Sequence, residues 1–418
     1  MPTICTLDSV IDRFKPGLSV FVSGMSGECL PLFDALKQRP DAADGVQFRG
    51  VSFPGINRSD YFGLHENTRQ RAYFMQSGLR SGLEDGRAEL LPLDYPGIFH
   101  DLAEQGEIDI AFVQVSSPDQ DGQCSLGVSC DFQPAVWQRA KRKVVLINTQ
   151  MPRTRSSFQI AYQDIDDVIE CDFEVLRYDG GTPSESMQAH ANLIASLVRD
   201  GDTLEFGVGK LQAGVLAALK DHQNLKVWSG MVSTPVLGLL DSGAIKGKAA
   251  MSMGVALGDA NLYERAAKDD AFFFRPVSQT HDVREISKHP NFCGINSAVE
   301  VDLLGQVNAD ALNGRFLAGV GGLPAYAAAA ALSQGGRSII ALPAATDDGR
   351  FTRIVATLGK PGACAIPRHA ADYVVTEQGI ASLRGLSVHQ RAKALIGIAA
   401  PAFRDSLEQQ WAEIRARF

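Results

Sequence analysis

Apolar residues along the chain fall into short runs of β-branched and aromatic type, separated by longer stretches in which apolar positions recur every three or four residues. The short runs predict buried strands and the longer stretches amphipathic helices, so their alternation predicts an α/β architecture of parallel sheets covered by helices. Strands are expected in the first half at residues 19–22, 46–51, 110–115 and 143–147, and in the second at 203–206, 225–228, 337–341 and 373–375. The stretch 203–231 shows the pattern most fully. A strand leads into Gly207-Val208-Gly209, then a helix with Leu211, Val215, Leu216 and Leu219 on one face, then a strand ending on Ser229-Gly230-Met231. Ligands of open α/β sheets sit at the carboxyl ends of strands, which directs attention to Glu205 and Gly230.

The two halves echo each other. Lys15-Pro16-Gly17 leads a strand into Ser23-Gly24-Met25-Ser26-Gly27 and a helix over 30–36; Arg199-Asp200-Gly201 leads a strand into the 207–209 turn and its helix. Such openings fit two related domains, and they also fit two unrelated α/β units that begin alike. At 418 residues the chain exceeds one ordinary core. Asp179-Gly180-Gly181-Thr182-Pro183-Ser184 supplies linker residues, so the expected domains are 1–185 and 186–418.

Charge narrows the classes. A net charge of −8 without a basic stripe argues against a nucleic-acid partner, and the run Arg139-Ala140-Lys141-Arg142-Lys143 reads as a solvated helix end. Asp8, Asp12 and Arg13 interrupt the N-terminal apolar residues, so no signal peptide is expected there, and no run approaches a membrane span. The seven cysteines are scattered and lack a CxxC pair, which points to reduced thiols in a cytoplasm and to no metal site.

Several stretches are candidates for chemistry. Gly319-Val320-Gly321-Gly322-Leu323-Pro324 precedes an alanine-rich helix that Gly335-Gly336 stops. Backbone N–H groups at Gly321 and Gly322 would suit a phosphate, a carboxylate or a developing oxyanion; a purely structural turn is the other reading. Glu377, in Val374-Val375-Thr376-Glu377-Gln378-Gly379, ends a strand and reads on its own as a surface glutamate. Residues 296–302 alternate like a half-exposed strand with solvated acids.

Residues 116–127 (SSPDQDGQCSLG), 148–154 (NTQMPRT), 295–308 (INSAVEVDLLGQVN), 319–322, 367–369 (PRH) and 373–385 (YVVTEQGIASLRG) together resemble the acetyl-CoA hydrolase/transferase family, the class I CoA-transferases acting on 4-hydroxybutyrate, butyrate or succinate with acetate. The resemblance runs from about residue 15 to 411. It implies two related open α/β domains of the class I CoA-transferase type with the active site at their interface, assembly as a homodimer or higher oligomer, and no cofactor beyond coenzyme A as substrate. It further implies a glutamate nucleophile that forms an acyl-glutamyl anhydride and then a glutamyl-CoA thioester, since a carboxylate can be nucleophile and leaving group in turn. Glu377 matches the family's supporting glutamate, and Gly321 and Gly322 match its oxyanion donors. Gly207, Gly209, Asn296, Gly319, Gly321, Gly322 and Gly379 fall on the coenzyme A side, and Met25, Phe53, Gly230 and Met231 on the acyl pocket.

The chain departs from the family at the nucleophile. The family's motif resembles HSEM with the glutamate third, and here Trp228-Ser229-Gly230-Met231 puts glycine in that place. Where the family commonly has glutamine before the glycine turn, this chain has Glu205. Glu205 is either a neutral exchange or a replacement carboxylate that activates water or attacks the thioester. The expected function is therefore water-dependent cleavage of a coenzyme A thioester, by hydrolysis or by C–C cleavage of a β-keto acyl-CoA. A CoA-transferase using a relocated carboxylate, Glu205 or Glu377, and a non-catalytic acyl-CoA-binding protein are the alternatives.

Overall fold

The computed structural model describes residues 1–359 and 363–418. Its contacts separate two compact units, one of residues 1–179, 230–234 and 247–280, the other of residues 180–229, 235–246 and 281–418.

In the first unit an eight-stranded parallel sheet runs Thr3–Ile4, Asp167–Cys171, Arg142–Asn148, Ile110–Val115, Ser19–Val22, Gln47–Arg49, Arg69–Ala72, Ala88–Leu90. Every residue of the central strands Ser19–Val22 and Ile110–Val115 is buried. That is why they read as nearly continuous apolar runs, broken only by Ser19 and Gln114: helices cover both faces of a parallel sheet. Leu32 and Leu36 of the helix Leu30–Gln38 close over Val20, Phe48, Phe112 and Leu146. The basic run is not a helix end. The helix stops at Trp137, and Arg142 and Lys143 open a strand in which Arg142 and Arg13 pair with the buried Asp167, while Lys141 bridges Glu107 and Asp109. Spacing shows a cluster of cations but not the acids that the sheet brings beside them.

In the second unit Thr203–Phe206, Phe292–Ser297, Arg337–Ala341 and Tyr373–Thr376 lie parallel in that order, and Gly379–Ser382 returns antiparallel. On the other side of Thr203–Phe206 the strand Lys226–Val232 starts in parallel register, Thr203 opposite Lys226 and Leu204 opposite Val227. At the amino end of these strands Asp202 and Arg337 form a buried ion pair. The helices Lys210–Ala218 and Leu323–Leu332 occupy the expected places, and Val215, Leu216 and Leu219 are buried as the spacing requires. Residues 296–302 are not one half-exposed strand. Phe292–Ser297 ends, Glu300–Asp302 begins a separate small sheet, and Asp302 is buried, accepting from the N–H groups of Leu304 (3.0 Å) and Gln306 (2.8 Å). A buried carboxylate that closes a turn cannot be told by alternation from a solvated one. Among the described residues no helix is long and apolar enough to cross a membrane.

Candidate active site

Glu205 sits in a strand whose four residues are all buried, with Leu204 and Phe206 directed to the opposite face by the two-residue period. Its side chain is 3% exposed. Asn296 Nδ2 donates to Glu205 Oε2 at 2.6 Å. Directly across the ladder stands Gly294. A Cβ there would lie 3.2 Å from Glu205 Oε2, so the glycine leaves the carboxylate its space. Burial pushes the Glu205 carboxyl up to about 8, with the hydrogen bond from Asn296 pulling the other way. The result is a carboxyl that is protonated in most molecules at neutral pH yet loses its proton within one or two pH units of it, the range of a working general base.

Neighbouring residues fix this strand end. Ser229 Oγ donates to Phe206 O at 3.1 Å, tying the strand that runs into Gly230 to the end of Glu205's own strand. After Gly207 and Gly209 the helix Lys210–Ala218 begins, and its Gln212 Nε2 donates to Ser297 Oγ at 2.9 Å, beside Asn296. The turn before the helix Leu323–Leu332 places Gly319, Gly321 and Gly322 at a helix start, where the first N–H groups have no partner within the helix. Gly321 has φ +62°, the left-handed region that favours glycine.

Glu377 is exposed, in the turn after Tyr373–Thr376, and its carboxylate accepts from Ala344 N at 3.0 and 3.3 Å. Gly379 opens the return strand. Three inter-strand steps separate the strands of Glu205 and Glu377, roughly 14 Å across the sheet at about 4.8 Å each. The two acids therefore do not share a proton as a dyad.

In the first unit Met25, Leu176, Val255 and Leu257 form a buried cluster against which Phe53, Ile56, Tyr178 and Met231 pack. The structure thus brings together Met25, Phe53 and Met231, which lie far apart in sequence. Met25 has φ +51°. Asn57 holds it there: its Oδ1 accepts from Met25 N (3.2 Å) and Phe53 N (2.9 Å), and its Nδ2 donates to Met25 O (3.3 Å). Sequence reasoning missed Asn57 and Gly294, and it placed Ser229 in the motif without its bond to Phe206 O. Gly294 carried a signal, since an isolated glycine inside a strand pattern marks a close approach.

Residues 3–176 match the family model "Acetyl-CoA hydrolase/transferase N-terminal domain", and residues 258–411 match "Acetyl-CoA hydrolase/transferase C-terminal domain". The chain is 31% identical to the 4-hydroxybutyrate coenzyme A transferase of Clostridium kluyveri over 98% of this chain and 97% of that protein. It is 22% identical to an acetyl-CoA hydrolase of Neurospora crassa over 94% of this chain and 85% of that protein. Among solved structures it resembles RipA from Yersinia pestis, with a TM-score of 0.89 and 26% identity over 99% of this chain and 98% of that one.

Proposed function

The chain belongs to the acetyl-CoA hydrolase/transferase family and is an acyl-CoA hydrolase or CoA-transferase, and from that premise we propose that its reaction is water-dependent, with Glu205 as general base. The observation that carries this reading is the buried Glu205 carboxyl, hydrogen-bonded to Asn296; burial raises its pKa, and the resemblance aligns Gly230 with the family's nucleophile. Without a side chain at residue 230, no acyl-enzyme can form there.

The ionised Glu205 takes a proton from water as the water oxygen bonds to the thioester carbonyl carbon. The carbonyl π pair moves to oxygen, where the N–H groups of Gly321 and Gly322 stabilise it. Collapse reforms the C=O bond and breaks the C–S bond; the departing thiolate takes the proton from Glu205, giving the free acid and coenzyme A. In a β-keto acyl-CoA the same attack at the keto carbon expels the thioester enolate, which takes that proton instead. Met25, Phe53 and Met231 are assigned to the acyl group, and Gly207, Gly209, Asn296, Gly319 and Gly379 to the coenzyme A side.

Replacing Glu205 by Gln keeps shape and a partner for Asn296 while removing the base. Turnover is expected to disappear with coenzyme A binding intact; unchanged turnover would remove Glu205 from the mechanism. The transferase named among the relatives favours a second reading, in which Glu205 or Glu377 itself attacks the thioester and acetate or another small carboxylate accepts the group. A borohydride- or hydroxylamine-sensitive glutamyl-CoA adduct mapped to either residue would establish it.

A further inference from the structure

The glycine turn before the helix Leu323–Leu332 is packed against a histidine. His281 is 2% exposed, and its ring centroid lies 4.7 Å from that of Tyr326 in the first turn of this helix. A Cβ built on Gly322 would meet His281 Nε2 at 2.4 Å, His281 Cδ2 at 2.7 Å and Tyr326 Cε2 at 2.9 Å. The imidazole therefore fills the place that a side chain at residue 322 would take. The backbone of Gly322 does not itself demand glycine. Its φ of −86° and ψ of −9° are open to alanine, so what excludes a methyl group is the histidine and the tyrosine beside it.

We propose that His281 is a positioning residue for the Gly321-Gly322 backbone, setting where these N–H groups stand by packing its imidazole directly against Gly322. The proposal rests on the reading of this turn as the thioester oxyanion site. Its physical basis is that oxyanion donors act only when pre-aimed at the developing charge, and a misplacement of about 1 Å can cost about 100-fold. The imidazole serves as a neutral wedge, and burial pushes its pKa down to about 3, so it carries no charge over the working pH range. It transfers no proton in the reaction.

The test is a double-mutant cycle of Gly322→Ala, His281→Ala and the combination, with His281→Gln as the conservative variant. Steady-state kcat and KM on one acyl-CoA and calorimetric coenzyme A affinity are compared among variants that keep the wild-type urea midpoint. Gly322→Ala alone is expected to lower kcat about 100-fold, as losing one oxyanion donor does. KM and coenzyme A affinity should stay within about threefold, because the turn binds the transition state more than the ground state. In the His281→Ala background the two shortest of the three contacts are gone and only the ring edge of Tyr326 remains, so adding Gly322→Ala should cost less than about tenfold. His281→Gln should retain most of kcat and leave the pH profile unmoved. An undiminished Gly322→Ala penalty in the His281→Ala background would overturn the role of His281. Wild-type kcat in Gly322→Ala would overturn the oxyanion reading of the turn instead. If His281→Ala does not fold, His281→Ser, which also vacates the place of the imidazole, combined with Gly322→Ala completes the cycle. Loss of a pH limb in His281→Gln would show that the imidazole titrates in the reaction and would refute the wedge.

Discussion

Asn296→Ala is the perturbation whose effect can be worked through from the geometry. It removes the 2.6 Å hydrogen bond that Asn296 Nδ2 gives to Glu205 Oε2 and leaves the burial of the carboxyl in place. A hydrogen bond to a charged group contributes about 1.5–3 kcal/mol, and 1.36 kcal/mol corresponds to one pKa unit, so the Glu205 carboxyl should rise by about one to two units. Starting from about 8, it would then titrate between about 9 and 10. A general base works in its ionised form, so activity rises with pH through the folded-state pKa. At pH 7 the ionised fraction falls from about one molecule in ten to between about one in a hundred and one in a thousand, and kcat/KM should fall about 10- to 100-fold. Raising the pH should recover much of the loss. The assay is kcat/KM for one acyl-CoA between pH 6 and 10, in wild type and variant, since that ratio reports ionisations of the free enzyme. A wild-type limb near the ordinary carboxylate range, or a variant whose loss is the same at every pH, would refute the assignment of Glu205 as the titrating base.

The same group makes stability depend on pH: the folded protein keeps the Glu205 proton up to about 8 while the unfolded chain releases it near 4.5, so stability falls as pH rises between those values. Glu205→Gln should remove this dependence and raise the urea midpoint at pH 8 more than at pH 5; equal shifts at both would contradict it. Asp202→Ala strands the buried Arg337 guanidinium and should cost about 3–5 kcal/mol in urea unfolding without altering kcat of the folded fraction, because the pair lies at the opposite end of the strands from Glu205's exit turn. Asn57→Ala removes two hydrogen bonds that hold Met25 at φ +51° and a third from Phe53 N, and at about 0.5–1.5 kcal/mol each it should cost roughly 1.5–4.5 kcal/mol. It should also blur discrimination among acyl-CoAs of different chain length, measured as kcat/KM ratios; preserved ratios would separate Met25 from acyl selection.

Much of the sheet was legible because strands buried on both faces are mostly apolar, and 19–22, 110–115, 203–206 and 337–341 fall on observed strands. The facing of Glu205 followed from the same two-residue period. What the period does not contain is register, so the opposition of Glu205 and Gly294 and the reach of Asn296 were not readable. Asn57 escaped for a related reason: its side chain acts on backbone atoms of Met25, 32 positions away, and nothing local marks it. The strands Met251–Ala256 and Phe272–Phe274 were not among those expected, and hydrophobicity alone does not say which unit they join. Asp302 was misjudged because the burial of a charge depends on distant segments, and the 139–143 run was misplaced at a helix end because the buried Asp167 that its Arg142 meets lies on another strand.

The reaction itself is tested most directly by thiol release from a panel of acyl- and β-keto acyl-CoAs in ¹⁸O-labelled water, with and without a mixture of small carboxylates, with mass analysis of the products. Water-dependent cleavage predicts thiol release that needs no acceptor, one solvent oxygen in the product acid, and loss of both in Glu205→Gln. New acyl-CoAs that form only when an acceptor carboxylate is present, with no free thiol in its absence, would contradict it and establish CoA transfer without a glutamate at residue 230.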